Sequence, residues 1–385
     1  KGSTKKDFNK EYKYPLEIYF CSKCYLVQSP NVISPDKLFK NYFYFSSTIS
    51  SLVNHFKSFA KHLKRYYRDP KKCKILEIGC NDGVFLKPLK KEGFKVIGVD
   101  PAKNVVRPLI KEGFNVINTY FNENTARKIK KLYGKVDVIS GTSSLAHIDD
   151  MHDVIKGIKL LLRDDGILIF EEHYLGNVVD ELQYDMMYHE HPSYYSLHSL
   201  KEFLEIFDMH VFNVKPLKLR AGLMRYYIQN RDSGKRKITK NVERLLAKEK
   251  KDGLHKYETY KNYFKRINYS KKHLMKLLED LKKNDYKIVG YGASGRATII
   301  MSFCGIDQKH LDYMVDDSPA RQGIFMPGNH MPVRSSVSLD NPKTRPDYAL
   351  VFAWPFIDEI KKKKSSYLKS GGKFIIPLPE VEIIS

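Results

Sequence analysis

Cysteine is scarce in this chain: there are five in 385 residues, and only Cys21 and Cys24 form a close pair. That excludes a disulfide-stapled secreted fold, so a reducing, cytoplasmic setting is expected. No apolar run is long enough to span a bilayer, and the lysine-rich start lacks the apolar stretch of a signal peptide. Acids are also short, with 44 Asp and Glu against 67 Lys and Arg, a net charge of +23. Such an excess suits nucleic acid, a membrane surface or a phosphorylated small molecule. The lysines are dispersed, however, and the runs at 248–252 and 361–364 mix with acids or fall on helix faces. A solvated lysine-biased surface is the reading, and nucleic acid is set aside as a partner.

What is present centres on Lys74 to Asp100. Ile75 to Ile78 is a mostly apolar strand, Gly79 and Gly83 let the chain turn sharply against a ligand, and Val84 opens a helix whose free N–H groups face that ligand. Asp100 closes the second strand 17 residues beyond Gly83, close to the spacing at which a carboxylate accepts two ribose hydroxyls. Asn81 stands where a nicotinamide site prefers glycine. The string Glu77-x-Gly79-x-Asn81-x-Gly83 resembles the first motif of the class I S-adenosylmethionine (SAM) methyltransferases, against the plainer alternative of an ordinary βαβ turn.

At 385 residues there is room for two or three domains. Residues 1–65 read as an N-terminal module. Cys21-Ser-Lys-Cys24 supplies half of a tetrahedral zinc site, so zinc is expected only if further ligands precede residue 1. Asn41 to Thr48 is aromatic and hydroxyl-rich, a candidate lid with Tyr42 and Tyr44 as its reaching side chains. Residues 66–231 alternate strand and helix: strands at 136–140, 167–171, 210–217 and 224–229, helices at 154–163 and 200–207, and a loop at 141–147. Ligands of such a sheet sit beyond the carboxyl ends of its strands. Residues 232–284 contain no proline and read as a helical connector. Residues 285–385 open with Gly290-x-Gly292-x-x-Gly295, a dinucleotide fingerprint with Asp316 and Asp317 about twenty residues on.

Tyr184 to Ser196 gathers two histidines, a glutamate and four tyrosines in thirteen residues. Pro192 breaks any helix there, which makes the stretch a loop at the crevice. An imidazole accepts a proton near neutral pH and a carboxylate can orient it, so Glu190 and His191 form the candidate acid–base pair. Metal ligation by His189 and His191 is the weaker alternative, and a packed aromatic patch is the plain one.

Taken together, Cys21-x-x-Cys24, Tyr44-x-Ser-Ser47, Glu77-Ile-Gly-Cys-Asn-Asp-Gly83, Leu145-Ala-His-Ile148, Tyr174-Leu-Gly176, Tyr188-x-Glu-His191, Gly290-Tyr-Gly-Ala293, Phe303-Cys-Gly-Ile306, Asp317-x-Pro-x-x-Gln322 and Phe352-Ala-Trp354 resemble the three-domain sugar C-methyltransferases acting on dTDP-linked 4-keto-deoxysugars. The resemblance implies an α/β fold, a class I methyltransferase sheet followed by a second Rossmann-like domain, and a monomer. It implies SAM held by Tyr42, Glu77, Gly79, Asn81, Gly83, Asp100, Ser143 and His147. Catalysis would fall to His191, Glu190, Tyr188 and Tyr44. A nucleotide sugar would be held by Tyr174, Tyr195, Arg225, Gly292, Ala293, Ser294, Arg296 and Trp354. The chain departs from the pattern at the half zinc module, at Arg220 to Arg225, at Pro355 and at Arg296, which replaces a lysine. Methylation at a sugar oxygen, a nicotinamide-dependent sugar oxidoreductase and an RNA methyltransferase remain the alternatives.

Overall fold

A computed structural model describes residues 3–40, 42, 44–67, 69–219 and 221–385, so Asn41, Phe43 and Arg220 lie outside the described residues. Contacts divide the chain into two units, one of Glu17–Gly176 with His189–Tyr257 and one of Lys1–Leu16, Asn177–Tyr188 and Glu258–Ser385.

In the first unit, β1 (Tyr19–Phe20) and β2 (Val27–Gln28) form a short hairpin that carries the two cysteines at its turn. The main sheet then follows as β3 (Lys74–Ile78), β4 (Lys95–Val99), β5 (Asn115–Ile117), β6 (Val136–Thr142) and β7 (Leu162–His173). A short β8 (Ser193–Tyr194) pairs with β2, and β9 (Met209–Leu217) and β10 (Leu223–Asn230) complete the seven-stranded sheet. Its order is β5-β4-β3-β6-β7-β10-β9, parallel except that β10 runs antiparallel to both neighbours. This is the class I methyltransferase layout.

The sequence explains these elements. Ile75, Leu76 and Ile78 are buried, as a strand covered on both faces requires. Helix Ser50–Tyr66 buries Leu52, Phe56, Phe59, Ala60 and Leu63, one stripe at helical spacing. Phe85 lies parallel to Phe59 at 4.8 Å, which anchors that helix under the Gly83 turn. The helix after the turn begins at Leu86 rather than at Val84, because residues 81–85 are used up in the turn itself. The helix placed at 154–163 spans Met151–Leu161, since Asp150 caps it by accepting the Asp153 N–H at 3.0 Å.

In the second unit, β11 (Ile288–Tyr291), β12 (Met314–Asp316), β13 (Val333–Ser335), β14 (Tyr348–Val351), β15 (Lys373–Ile376) and β16 (Glu382–Ile384) form a six-stranded sheet in the order β13-β12-β11-β14-β15-β16, antiparallel only at β16. Helix Tyr257–Lys283 packs on this unit through Tyr263, Ile267, Leu274, Leu278 and Leu281. The stretch before residue 17 folds here too. Ser3 and Phe325 exchange backbone hydrogen bonds, and Phe8 stacks on His330 at 3.7 Å.

One buried charge in the first unit is structural. Glu249 is fully buried and accepts the backbone N–H groups of Leu197 (2.7 Å) and His198 (2.9 Å), with His198 Nδ1 at 2.7 Å. It thereby closes the N-terminus of helix Leu197–Glu205. Glu249→Ala is expected to destabilise the protein by about 3–5 kcal/mol, because it strands buried donors. Urea denaturation should show the lower midpoint.

Candidate active site

The carboxyl ends of β3, β4, β6 and β7 converge on a crevice that is lined with carboxylates. Glu77 is 1% exposed, its Oε2 has no hydrogen-bond partner, and burial beside Asp100, Asp82 and Glu171 raises its pKa well above the ordinary range. Asp100 accepts the N–H of Asn81 at 2.9 Å and of Ala102 at 2.8 Å, and burial raises its pKa in spite of them. Glu172 accepts the Ala146 N–H at 3.1 Å, and its burial pushes its pKa up to about 8. Burial also works against the charge of Glu171, but His55 at 2.9 Å and Arg225 outweigh it and hold that group ionised.

The turn is built to approach a ligand closely. Gly79 has φ +73°, and a Cβ there would stand 2.5 Å from Ser144 Cβ. Asn81 (φ +48°) and Ser143 (φ +50°) also adopt left-handed backbone, which non-glycine residues seldom do. The aromatic segment is strapped over this turn. Ser46 N–H donates to Asn81 Oδ1 (3.0 Å), Asn81 Nδ2 donates to the Tyr44 carbonyl (3.0 Å), and Ser47 Oγ donates to Asp82 (2.6 Å). Asn104 holds the Tyr42 backbone through both its N–H (3.1 Å) and its carbonyl (2.7 Å).

The same crevice receives the reactive stretch. Tyr42 Oη donates to Glu190 Oε2 at 3.3 Å, and His147 Nδ1 contacts the Glu190 carbonyl. A carbonyl can only accept, so His147 carries its proton on Nδ1 and leaves Nε2 as an acceptor. Burial lowers the His147 pKa and keeps the ring neutral, although Glu190 pulls the other way. The His191 ring, 6% exposed, lies 4.8 Å from that of His147 and 5.9 Å from that of His173. His147 lies three residues after Ser144, the residue that covers Gly79.

Tyr42, Tyr44, Glu77, Gly79, Asn81, Asp100, Ser143, His147, Glu190 and His191 therefore gather in one unit, and Gly83 (φ +77°) closes the turn against Leu109. Tyr188 ends the 177–188 segment of the other unit. Tyr174 and Tyr195 are 2% and 3% exposed, buried as Glu77 and His191 are. Arg225, 3% exposed, is tied to Glu171, donates to Tyr227 Oη at 3.3 Å and lies 3.5 Å over the Phe59 ring. It supports the crevice wall from behind.

Sequence reasoning missed Asp82, Asn104, His55 and Glu172 as members. Only the left-handed turn gave a signal for Asp82.

The second glycine turn lies in the other unit. Gly292 has φ +97°, Ala293 N–H donates to Asp316 at 2.8 Å, and Ser294 caps helix Gly295–Cys304. Arg296 and Trp354 both bond Asp185.

At the β1–β2 hairpin, N–H groups of Cys24 and Lys23 aimed at the Cys21 sulfur lower its pKa, whereas burial raises that of Cys24. Among the described residues no third ligand joins them, so these residues supply half of a zinc site.

Comparison with known families agrees with this geometry. Residues 53–211 match the family described as "Methyltransferase domain", residues 218–379 "C-methyltransferase C-terminal domain", and residues 3–39 "Putative zinc binding domain". C-methyltransferase NovU of Streptomyces niveus is 28% identical over 379 residues, 98% of this chain and 90% of its own length. A ubiquinone biosynthesis O-methyltransferase of Azorhizobium caulinodans is 28% identical over 119 residues, 31% of this chain and 46% of its own length. Among solved structures, the plantazolicin methyltransferase BpumL with S-adenosylhomocysteine covers 47% of this chain and 86% of its own at 14% identity and TM-score 0.37. The PH0226 protein of Pyrococcus horikoshii covers 52% and 100% at 16% identity and TM-score 0.39.

The cofactor is SAM. A buried carboxylate with one oxygen unpartnered among the described residues, within a ring of acids, suits a ligand that carries a sulfonium and an ammonium. A dinucleotide, with its two anionic phosphates, would be repelled by the same acids. Gly79→Ala is expected to abolish SAM binding in calorimetry while circular dichroism stays unchanged. His147 should remain neutral below pH 6.5 in an imidazole NMR titration. The unfolded chain then binds the extra proton, so stability should fall as pH drops below about 6.5.

Proposed function

We propose that this chain, which resembles a C-methyltransferase over nearly its whole length, methylates a ring carbon beside the ketone of a nucleotide-linked sugar, with His191 as the base. The observation that carries the mechanism is the position of His191, its ring 4.8 Å from that of His147.

Bound SAM supplies an electrophilic methyl group on a sulfonium. The residues of the chain do the rest. A ketone acidifies its α-hydrogen, and His191 takes that proton. Glu190, which accepts the Tyr42 hydroxyl, steadies the imidazolium that results. Tyr44 and Tyr188 are the donors assigned to the enolate oxygen, where a positioned hydrogen bond lowers the barrier most. Ser46 and Ser47, bonded to Asn81 and Asp82, are assigned with Tyr42 and Tyr44 to the cover of the turn.

Gly292 to Arg296 is assigned to the sugar's diphosphate. The N–H groups of Gly295 and Arg296 open a ten-residue helix and are aligned for an anion. Ala293 N–H is already committed to Asp316.

His191→Asn is expected to lower kcat by about 100-fold or more, with SAM affinity unchanged. Solvent exchange of the substrate's α-proton should be lost together with methyl transfer. Transfer of a labelled methyl followed by NMR should place it on carbon. A methyl found on oxygen would overturn the reading, as would wild-type proton exchange in His191→Asn.

A further inference from the structure

Arg296 lies in the stretch assigned above to the diphosphate, yet most of its guanidinium is occupied. Its Nε and Nη2 donate to Asp185 Oδ2 and Oδ1 at 2.8 and 3.0 Å, and Trp354 Nε1 donates to the same Oδ2 at 2.9 Å. Asp185 is fully buried, and the Arg296 side chain is 15% exposed. The guanidinium also lies 5.0 Å over the Trp354 ring. Asp185 thus has three donors for its two oxygens, and Arg296 keeps Nη1 uncommitted among the described residues.

The segment that brings Asp185 here is itself firmly held within the same unit. Arg266 donates to the carbonyls of Val179 and Asp180, each at 2.9 Å. Tyr184 packs on Phe303 at 5.2 Å, and its hydroxyl meets Cys304 Sγ at 3.6 Å. The residue before Asp185 therefore grips the last turn of helix Gly295–Cys304, while Asp185 grips the first.

We propose that Asp185 is a positioning residue for substrate binding, which holds Arg296 and Trp354 beside the turn 292–295 so that Nη1 of Arg296 is presented in one orientation to an anionic ligand. Resting on the diphosphate assignment above, this adds a residue that touches no ligand itself. Two effects oppose each other. The Asp185 charge offsets that of Arg296 and weakens its long-range pull on a phosphate. Fixing a side chain with four rotatable bonds removes the ordering cost that binding would otherwise meet. A bidentate, buried pair also fixes direction, which a one-nitrogen contact needs most. Orientation is expected to win.

The test is calorimetric titration of the full-length protein with thymidine diphosphate, alongside SAM. Asp185→Asn should weaken thymidine diphosphate at least tenfold, leave SAM affinity unchanged, and raise KM for the nucleotide sugar with kcat within about twofold. In the Asp185→Asn/Arg296→Ala double variant, the loss should be no greater than in Arg296→Ala alone, which a merely structural role would not produce. Unchanged or tighter nucleotide binding in Asp185→Asn overturns the proposal, as do additive losses in the double variant. A wild-type protein that does not bind thymidine diphosphate instead overturns the diphosphate assignment. Should Asp185→Asn fail to fold, Trp354→Phe removes one of the three donors alone, and it should weaken the nucleotide two- to threefold; no change there overturns the proposal.

Discussion

Four buried carboxylates at the carboxyl ends of β3, β4 and β7 set the terms for the first unit: Glu77, Asp100, Glu171 and Glu172. Packing so many acids together is costly unless each is paired, neutralised or reserved for a cationic ligand. Three have local solutions. Asp100 spends its oxygens on the Asn81 and Ala102 amides, Glu172 on the loop that carries His147, and Glu171 on His55 and Arg225. Glu77 keeps an oxygen without a protein partner, in the place where the turn admits no Cβ. That asymmetry is what a cationic cofactor would complete.

The two glycine turns illustrate how one supersecondary device is tuned by charge. Both follow a parallel strand, and in both an acid at the end of the next strand takes an amide of the turn: Asp100, just past β4, takes Asn81, and Asp316, the last residue of β12, takes Ala293. Their surroundings then diverge. Around Gly79 the neighbours are acids, with Asp82, Glu171 and Glu172 close by. After Gly292 comes an arginine, and Arg321 stands 3.2 Å from Asp316. The glycine pattern alone speaks only of close backbone approach. The charge lining each turn decides what can approach.

Much of this was legible in the residues. The Glu77 to Gly83 string and the alternation of strand and helix point to their place in the fold because local spacing carries them, whereas Tyr184 to Ser196, read as one loop, is divided after Tyr188 between the two units. What was hidden depends on pairing across long separations. Nothing in the spacing joins Asn104 to Tyr42, His55 to Glu171 or Asp185 to Arg296, which are 62, 116 and 111 residues apart. Tyr174, Tyr195 and Arg225 were assigned to substrate through resemblance, and their burial was not visible in the motif. A polar residue type in a matching motif reveals chemistry but not whether the side chain faces the ligand or holds the wall behind it.

The imidazole pair follows from the same electrostatics. A crevice rich in carboxylates favours imidazolium, which would disarm a base before substrate arrives. Burial of His147 resists this, and its lowered pKa shows that desolvation prevails over Glu190. The carbonyl that fixes the His147 tautomer belongs to Glu190, the residue preceding His191. One peptide unit thus sets both the proton position on the first ring and the backbone from which the second projects. A change in the 189–191 backbone must move both rings together, which makes the two histidines a single geometric unit rather than two independent acid–base groups.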